Sequence, residues 1–321
     1  MTKHVLVTGG FGYKGSVLVP KLLRAGHEVT VFDTQWFGKH IEDHANMKVI
    51  RGDLRDLSAL PDGIDAIIHL AGIANDPCGE LDAKLTWEVN VLYHQFLLDK
   101  AAQAGVKQFI YASSASVYGI QGNKAVTEDT PLAPVSDYNK TKMVAERVLL
   151  SYADRMAVQI VRPATICGYS PRMRLDVVVN MLTMDALQKG EIVVQTPDLF
   201  RPHCHIQDAA NLYLYLLERP HLRGPYNAGF SNQTIMETAL LIAEHVGCKV
   251  TRATHIPSKY DKRSYLVDSQ RILDTGFRPM FTVEQAIKEI VGMYRAGALQ
   301  DREEWRNLHW MRKHGLVNET R

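Results

Sequence analysis

Two short segments of the sequence carry a serine, a tyrosine and a lysine, side chains that together can move a proton. SSASVYG occupies residues 113–119, and YNKTK occupies residues 138–142. Tyr138 and Lys142 are four residues apart, so a helix would place them on the same face. A phenol, with an ordinary pKa of about 10, is a poor base at neutral pH, but a nearby ammonium group favours the phenolate. An isolated pair at this spacing is usually surface packing, so its interpretation depends on the elements around it.

The N-terminal segment predicts the first elements of a nucleotide-binding unit. An apolar, β-rich run over residues 3–8 predicts a buried strand, and it leads into the glycine-rich turn TGGFGYKG. Gly9, Gly12 and Gly15 have the spacing G-x-x-G-x-x-G, and a helical pattern follows them. Glycines let main-chain N–H groups approach a pyrophosphate, while the N-terminus of the helix stabilises its negative charge.

A second predicted strand, over residues 27–32, ends at Asp33. An acidic residue about 20 positions after the glycine turn can accept hydrogen bonds from the ribose hydroxyls of the adenosine half. Its charge would repel a 2′-phosphate, and no arginine follows it closely in the sequence. This segment therefore predicts NAD, rather than NADP, as the cofactor.

Two more predicted strands, over residues 48–51 and 66–70, run into polar turns. Asp53 follows the first strand and could either contact the adenine edge or cap a helix. The letters HLAG end the second strand, with small residues where a cofactor would need room. Asn90 lies in a predicted helix over 83–102, where it could be a structural hydrogen-bonding residue or could fix the catalytic strand.

The order of these elements predicts the fold. A strand over 108–112 leads into SSASVYG, and ligands bind at the carboxyl ends of parallel strands. Alternating strands and helices predict an α/β protein with a Rossmann-type doubly wound parallel sheet. We assign residues 1–170 to this NAD-binding domain, with part of 205–225 returning to it. Residues 171–321 form a smaller, mostly helical substrate-binding domain, and the tryptophan- and charge-rich end of the chain is read as a peripheral helix.

Composition narrows the classes of partner. The 321 residues are 46% apolar and 22% charged, which is ordinary for a soluble globular protein. A net charge of +2 gives no general field for nucleic acid, and no apolar run reaches the roughly 18 residues of a membrane span. Four cysteines without a CxxC pair fit free thiols in a reducing cytoplasm. The chain enters its first strand at once, which leaves no room for a signal peptide. We expect a cytoplasmic protein without nucleic-acid, membrane or metal partners.

Several motifs, in order, resemble the extended short-chain dehydrogenases/reductases, specifically the NAD-dependent nucleotide-sugar epimerase/dehydratase branch. TGGFGYKG resembles the family's TGxxGxxG turn, GDLRD its adenine-contacting segment, and RPATICG the strand exit that lines both ligands. RPHCHIQD resembles its RxFxHVxD element, and DKRSYLVDSQRILDTGFRP its late arginine segment. The resemblance covers most of the chain and implies a Rossmann fold, NAD as cofactor and a nucleotide-diphosphate sugar as substrate.

The resemblance also implies roles for individual residues. Tyr138 would take a hydroxyl proton while a hydride leaves the same carbon for NAD. Lys142 would favour the phenolate and hold the nicotinamide ribose, and Ser114 would hydrogen-bond the reacting oxygen. The implied cofactor contacts are Gly9, Gly12, Tyr13, Gly15, Asp33, Asp53, Leu54, Leu70, Ala71, Gly72, Asn90, Ala112, Tyr138, Lys142 and Pro163. The implied substrate contacts are Ser114, Thr165, Arg174, Arg201 and Arg263.

Two small residues bear on the reaction type. Ala115 and Ser116 occupy positions where dehydratases and decarboxylases of the family usually carry acids. Without a carboxylate there, oxidation at sugar C4 is easier to support than elimination, and we predict an epimerase. Release of the keto-sugar would instead make the protein a C4 dehydrogenase. A dehydratase also stays open, because Asp76, Cys78 or Cys167 could supply the group for deprotonation at C5 or elimination.

Other residues allow two interpretations. Lys14 replaces the usual apolar residue of the glycine turn and reaches either a phosphate or solvent. Arg172 and Arg174 either add charge to the cleft or are solvated.

A function of another class would be an NAD(P)-linked reductase of a non-sugar carbonyl. Such an enzyme would use the same serine, tyrosine and lysine but would not need Arg201 and Arg263. Broad apolar surfaces on the predicted helices over 83–102 and 137–153 indicate a homodimer.

Overall fold

The computed structural model describes residues 2–254 and 263–316. The strands, in chain order, are β1 (His4–Thr8), β2 (Glu28–Asp33), β3 (Met47–Arg51), β4 (Ala66–His69), β5 (Gln108–Ala112), β6 (Ala125–Val126), β7 (Ala157–Pro163), β8 (Thr165–Cys167), β9 (Glu191–Val194), β10 (Phe200–His205), β11 (Gly224–Ala228), β12 (Ser231–Thr234), β13 (Lys249–Arg252) and β14 (Leu266–Val267). The α-helices are α1 (Gly15–Arg24), α2 (Asp76–Leu81), α3 (Ala83–Trp87), α4 (Tyr93–Gln103), α5 (Asp137–Leu150), α6 (Val178–Lys189), α7 (Ile206–Leu217), α8 (Ile235–Val246), α9 (Gln270–Asp274), α10 (Val283–Arg295) and α11 (Asn307–Lys313).

The main sheet has seven parallel strands in the order β11-β7-β5-β4-β1-β2-β3. Its central strands are short apolar runs that are buried throughout, because helices cover both faces. Leu18 of α1 and Leu212 of α7 pack on one face, and Leu97 of α4 and Leu149 of α5 pack on the other. The predicted Rossmann-type doubly wound sheet is confirmed.

The strand order reverses between β1 and β4, so the connections that follow these two strands leave in opposite directions. A crevice forms at such a switch point, outside the carboxyl ends of the strands. Gly9 follows β1, Leu70 follows β4 and Ser113 follows β5, so the fold brings three predicted site segments to one edge.

The helix predicted over 83–102 is divided into α3, a π-helical segment at Glu88–Leu92, and α4. Asn90 lies in the π-helical segment and is buried. Its side-chain Oδ1 accepts from Ile73 N (2.9 Å), and its Nδ2 donates to Ile73 O and to Thr141 Oγ1 (3.1 Å each). The π-helical turn therefore contains Asn90, whose side chain joins the loop after β4 to helix α5 by hydrogen bonds.

The smaller part of the molecule packs α6, α8 and α10 around a separate apolar cluster that includes Val179, Ile242 and Ile287. Small sheets accompany these helices, so this part is less purely helical than the sequence indicates. Residues 206–228 leave it again: α7 packs on α1, and β11 joins the main sheet beside β7. No helix in 2–254 or 263–316 is long and apolar enough to span a bilayer.

The end of the chain was expected to be a peripheral helix; the helix is present as α11, but the segment is not peripheral. Trp305 is only 4% exposed and belongs to the main apolar core. Helix α11 packs on α2, and Met311 is buried between them. Two tryptophans and a methionine in a charged segment supply apolar surface that the sequence pattern alone did not assign to a partner.

Candidate active site

A cleft of about 1040 Å³ opens at the carboxyl edge of the main sheet and extends under the smaller part of the molecule. This volume lies at the upper end of the range for ligand pockets, which is about 300–1,000 Å³. Every predicted cofactor and substrate residue lines the cleft except Asn90, which is held by the Ile73 main chain and Thr141. Asn90 therefore positions the wall of the cleft and does not face a ligand.

Helix α5 brings Tyr138 to the cleft. Its N-terminus is capped by Ser136, whose Oγ accepts from Asn139 N (3.2 Å), so Tyr138 lies in the first turn. Helix α2 lies so close that a Cβ on Gly79 would come within 2.9 Å of Tyr138 Cβ. The Ser114 hydroxyl interacts with the Tyr138 phenol and lowers its pKa, so the two groups lie close together.

A short polar chain holds Ser114 in place. Ser114 Oγ lies 2.7 Å from Ser116 Oγ, and Ser116 donates to Asn139 Oδ1 (2.5 Å). Ser116 occupies a position where an acid would indicate elimination, and here it links Ser114 to Asn139 instead. Ala115 beside it is completely buried, so this turn offers no carboxylate to the cleft.

Lys142 is 6% exposed and lies one helical turn below Tyr138. Its Nζ donates to Ala112 O (2.9 Å) and lies 4.8 Å from the centroid of the Tyr111 ring. Burial lowers the pKa of Lys142 to about 7, and the Lys14 ammonium contributes to this lowering.

The sequence predicts that Lys142 lowers the pKa of Tyr138, but in the structure this pKa is raised. Burial and the Asp76 carboxylate raise the pKa of Tyr138 to about 12, while the Ser114 hydrogen bond and Arg174 oppose this rise. The phenol is therefore protonated in the ligand-free protein, because burial outweighs the surrounding cations.

A buried ionic network supports this edge of the sheet. Ser113 Oγ donates to Glu146 Oε1 (2.5 Å), and Arg162 Nη2 pairs with Glu146 Oε2 (2.6 Å). Arg162 also donates to Tyr118 OH (2.8 Å), which donates to Asn227 Oδ1 (2.7 Å). These bonds link the ends of β5, β7 and β11 to α5 and fix the strand end that carries Ser114.

The glycine turn fits a dinucleotide. Gly9 has φ +71°, and a Cβ there would lie 2.7 Å from Ala71 N, so only glycine allows β1 and β4 to approach this closely. Among the described residues, the main-chain N–H groups of Tyr13 and Lys14 have no acceptor, and both residues line the cleft at the start of α1. Unpaired donors at a helix N-terminus form an anion site that suits a pyrophosphate.

The acidic residues at this end of the cleft are held by main-chain groups. Asp33 accepts from Phe11 N (2.9 Å) and Gln35 N (2.7 Å), which leaves lone pairs on its carboxylate for ribose hydroxyls. Asp53 caps a short 3₁₀ turn and pairs with Arg55 (2.9 Å), so the capping interpretation describes its contacts in this structure.

Three arginines whose side chains have polar partners also line the cleft. Arg201 Nη1 donates to Phe200 O (3.1 Å) and to Arg263 O, so the two predicted phosphate-binding arginines lie side by side. Arg263 Nη2 pairs with Asp76 Oδ2 (2.8 Å), and Arg174 Nε pairs with Asp176 Oδ1 (2.8 Å).

The three cations with two interpretations, Lys14, Arg172 and Arg174, line the cleft instead of the outer surface. Arg172 is 2% exposed and lies 4.1 Å from the centroid of the Phe37 ring. Arg174 lines the cleft with Lys14, and burial lowers the pKa of Lys14 to about 8. The solvated alternative is therefore wrong for all three cations.

The cysteines do not supply a reactive group. Cys78 and Cys167 are completely buried, and burial raises the pKa of both thiols, that of Cys78 to about 12. No group of three metal-ligating side chains was found among the residues that the structure describes.

Two groups of residues in the cleft wall were not predicted as site residues. Asn75 has φ 73°, caps α2 through Cys78 N (2.9 Å) and donates to Asp176 Oδ2 (3.2 Å). It therefore joins the loop after β4 to the segment that carries Arg174. The C-terminal residues Asn307, Leu308 and Met311 also line the cleft. No motif marked them, because they follow the last strand and helix of the recognised pattern.

A Rossmann-type sheet with a serine, tyrosine and lysine at its carboxyl edge defines a dinucleotide-dependent protein of the short-chain dehydrogenase/reductase class. The model of the NAD dependent epimerase/dehydratase family matches residues 5–229, and the chain belongs to this family. The predictions of the family and of NAD as its cofactor are thereby confirmed.

Individual proteins show the same relationship. The chain is 35% identical over 174 residues to the uncharacterized protein y4nG of Sinorhizobium fredii, covering 53% of this chain and 42% of that protein. It is 26% identical over 309 residues to UDP-glucuronic acid decarboxylase 1 of Xenopus tropicalis. The match covers 91% of this chain and 72% of that protein. The chain thus spans less than half the length of y4nG. The solved structure of the UDP-glucose 4-epimerase of Thermus thermophilus in complex with NAD superposes on this chain with a TM-score of 0.81 at 26% identity. The superposition covers 92% of this chain and 100% of the Thermus chain.

Proposed function

We propose that this protein is an NAD-dependent nucleotide-sugar epimerase that acts by transient oxidation at sugar C4. The observation that carries the proposal is the shared cleft: Ser114, Tyr138 and Lys142 line the same cleft as the glycine turn and a group of arginines. The Thermus protein of the same fold is a UDP-glucose 4-epimerase. A nucleotide-diphosphate sugar is the substrate class that such a cleft can hold beside a dinucleotide.

Ser114, Tyr138 and Lys142 have separate roles in the proposed proton transfer. Ser114 hydrogen-bonds the C4 oxygen, and Tyr138 takes the hydroxyl proton as the general base. Lys142 lies beneath the phenol and stabilises the phenolate when it forms. When bound, NAD accepts and returns the C4 hydride, and its positive ring favours the phenolate. Tyr138 gives the proton back when the hydride returns to the opposite face of the keto-sugar.

The carboxylates of the cleft favour epimerisation over elimination. Asp76 is paired with Arg263 and also accepts from Ser136 Oγ (2.5 Å), while Asp176 is paired with Arg174. Both carboxylates are thus engaged by arginines, and neither Ala115 nor Ser116 supplies an acid that could remove a proton from C5.

Arg201 and Arg263 are proposed to bind the substrate diphosphate. Guanidinium groups bind phosphate oxygens in a bidentate manner, and the two residues lie next to each other in the cleft wall. Thr165, at the start of β8, lines the wall between these arginines and the cofactor half. A reductase of an apolar carbonyl compound would not need this group of cations.

We further propose a cytoplasmic homodimer. Leu92 is 61% exposed and Phe96 is 39% exposed, so the region around the start of α4 offers apolar surface to a second copy. All four cysteines are free thiols, which is consistent with a reducing compartment.

The test is turnover of nucleotide-diphosphate hexoses labelled with deuterium at C4. An epimerase converts one C4 epimer into the other, retains the label in the product and accumulates no absorbance at 340 nm. Net oxidation would instead raise this absorbance in proportion to the keto-sugar released, and would overturn the proposal.

The base is tested by Tyr138→Phe, which is expected to lower kcat by about 10²–10⁴-fold. Tyr215→Phe is the matched control, because Tyr215 donates to Thr275 O (2.7 Å) and does not line the cleft. Wild-type turnover by Tyr138→Phe would show that another group removes the proton.

A further inference from the structure

The C-terminal residues form part of the wall around the cofactor half of the cleft. Leu308 and Met311 of α11 line this half together with Asn307. They face the same space as Phe37, which belongs to the loop after Asp33, and Ile73, which belongs to the loop after β4. A dinucleotide at the switch point between β1 and β4 would lie beneath residues 303–316, which we name the C-terminal clamp.

Three hydrogen bonds attach the clamp to two different segments at the carboxyl edge of the sheet. Trp310 Nε1 donates to Trp36 O (2.7 Å), in the loop that follows the ribose-binding acid. Arg172 Nη2 donates to Asn307 Oδ1 (2.7 Å). In the same segment as Arg172, Leu175 N donates to Trp305 O (2.8 Å). The clamp therefore bridges the crevice from one side to the other.

Apolar packing adds to these bonds. Met311 is 3% exposed and packs in a cluster with Ile73, Cys78 and Val89, to which Leu308 and the aromatic rings of the 36–37 loop add their surfaces. This cluster is separate from the main core of the sheet. Its position suggests that its apolar surface serves the cleft rather than the stability of the sheet.

Arg172 connects the clamp to the cofactor end electrostatically. Its guanidinium lies over the Phe37 ring and contributes positive charge at Asp33, where it opposes the larger effect of burial on the carboxyl pKa. A fully buried cation that contacts both the clamp and the loop after Asp33 keeps these two segments together when the site is filled.

We infer that the C-terminal clamp is a wall of the cofactor site that slows release of the dinucleotide from this cleft. The inference rests on the NAD site of the proposed function but concerns residues outside the matched family region, which ends at residue 229. Release of the cofactor would require the bonds and the packing of the clamp to open first. A retained cofactor suits a reaction that returns its hydride, because net oxidation needs the reduced cofactor to leave in each cycle.

The test measures exchange of bound NAD for an excess of its fluorescent etheno analogue, without any sugar present. Leu308→Ala removes the cleft-facing side chain, and Trp310→Ala removes the bond to Trp36. We expect each variant to exchange NAD at least about tenfold faster than the wild type, a change that corresponds to about 1.4 kcal/mol. His309→Ala on the same helix is the control, because His309 is exposed, and it is expected to exchange like the wild type.

A chain that stops after Arg302 is expected to lose NAD during desalting, while the wild type retains it. Thermal unfolding in saturating NAD shows whether each variant is folded. If Trp310→Ala does not fold, the exchange rate of Leu308→Ala alone tests the inference. Exchange at the wild-type rate in folded Leu308→Ala and truncated proteins would overturn the inference. Because the assay contains no sugar, failure of the epimerase proposal would leave the exchange result unaffected.

Discussion

Lys142→Met is expected to stabilise the ligand-free protein while it removes activity. Lys142 is almost completely buried, and its ammonium has one hydrogen bond among the described residues, to Ala112 O (2.9 Å). Burial lowers its pKa from 10.5 to about 7. The charged form of Lys142 is therefore less stable in the folded protein than in the unfolded chain, which lowers the free energy of unfolding. Methionine has a similar shape without the charge.

The size of the effect follows from the pKa shift. At about 1.4 kcal/mol per unit, the shift corresponds to an upper limit of about 4 kcal/mol at neutral pH. Loss of the bond leaves the Ala112 carbonyl buried without a donor, which costs about 1–3 kcal/mol. We therefore expect Lys142→Met to raise the free energy of unfolding by about 1–3 kcal/mol at pH 7.

The pH dependence provides a sharper test. Since the folded pKa of Lys142 lies below the unfolded value, the unfolded chain binds the proton more tightly between pH 7 and 10.5. The cost to the folded state is full below about pH 7 and disappears toward pH 10.5. The advantage of Lys142→Met should therefore shrink by about 2 kcal/mol between pH 7 and about pH 9.

Urea unfolding of the cofactor-free proteins at the two pH values measures this advantage. Lys140→Met is the matched control, because Lys140 lies exposed on the same helix and contacts only Asp137 (3.5 Å) among the described residues. An advantage of Lys142→Met that is absent, or equal at both pH values, would refute the assignment of a buried, high-cost ammonium.

Other variants test the surroundings of the site. Glu146→Gln should lower the free energy of unfolding by about 3 kcal/mol in urea titrations, because it leaves a buried arginine without its counter-charge; an unchanged midpoint would contradict this. Asp76→Asn should move the pH profile of kcat/KM to lower pH, because the Asp76 charge raises the pKa of Tyr138; an alkaline shift would contradict the electrostatic assignment. Leu92→Glu should give a monomer by light scattering, whereas Leu240→Glu, on a similarly exposed side chain of α8, should leave the dimer intact.

The sequence was sufficient for the parts of the protein that depend on local pattern. Short apolar strands, the glycine spacing and Asp33 predict the nucleotide-binding unit, because each feature acts within about 30 residues. The strand predicted over 108–112 coincides with β5, and Tyr138 and Lys142 lie on one face of α5 as their spacing requires.

The sequence did not predict the role of a side chain whose bonding partners are distant in the sequence. Asn90 reads equally as a cleft residue or a structural one, and only its bonds to Ile73 and Thr141 decide between them. Cys78 could have been a reactive thiol, but burial excludes this. Arg174 could have been solvated, but it pairs with Asp176 within the cleft wall.

The sequence by itself determined the fold class, the cofactor and the three residues proposed for catalysis, because motifs with fixed spacing encode them. Only the tertiary structure decided the electrostatic state of those residues, since burial depends on every element around the cleft. It raises the pKa of Tyr138 and lowers that of Lys142, whereas the pair considered alone predicts a phenolate. The tertiary structure also brought Trp310 to Trp36, 274 residues away, and so made the end of the chain a wall of the cofactor site.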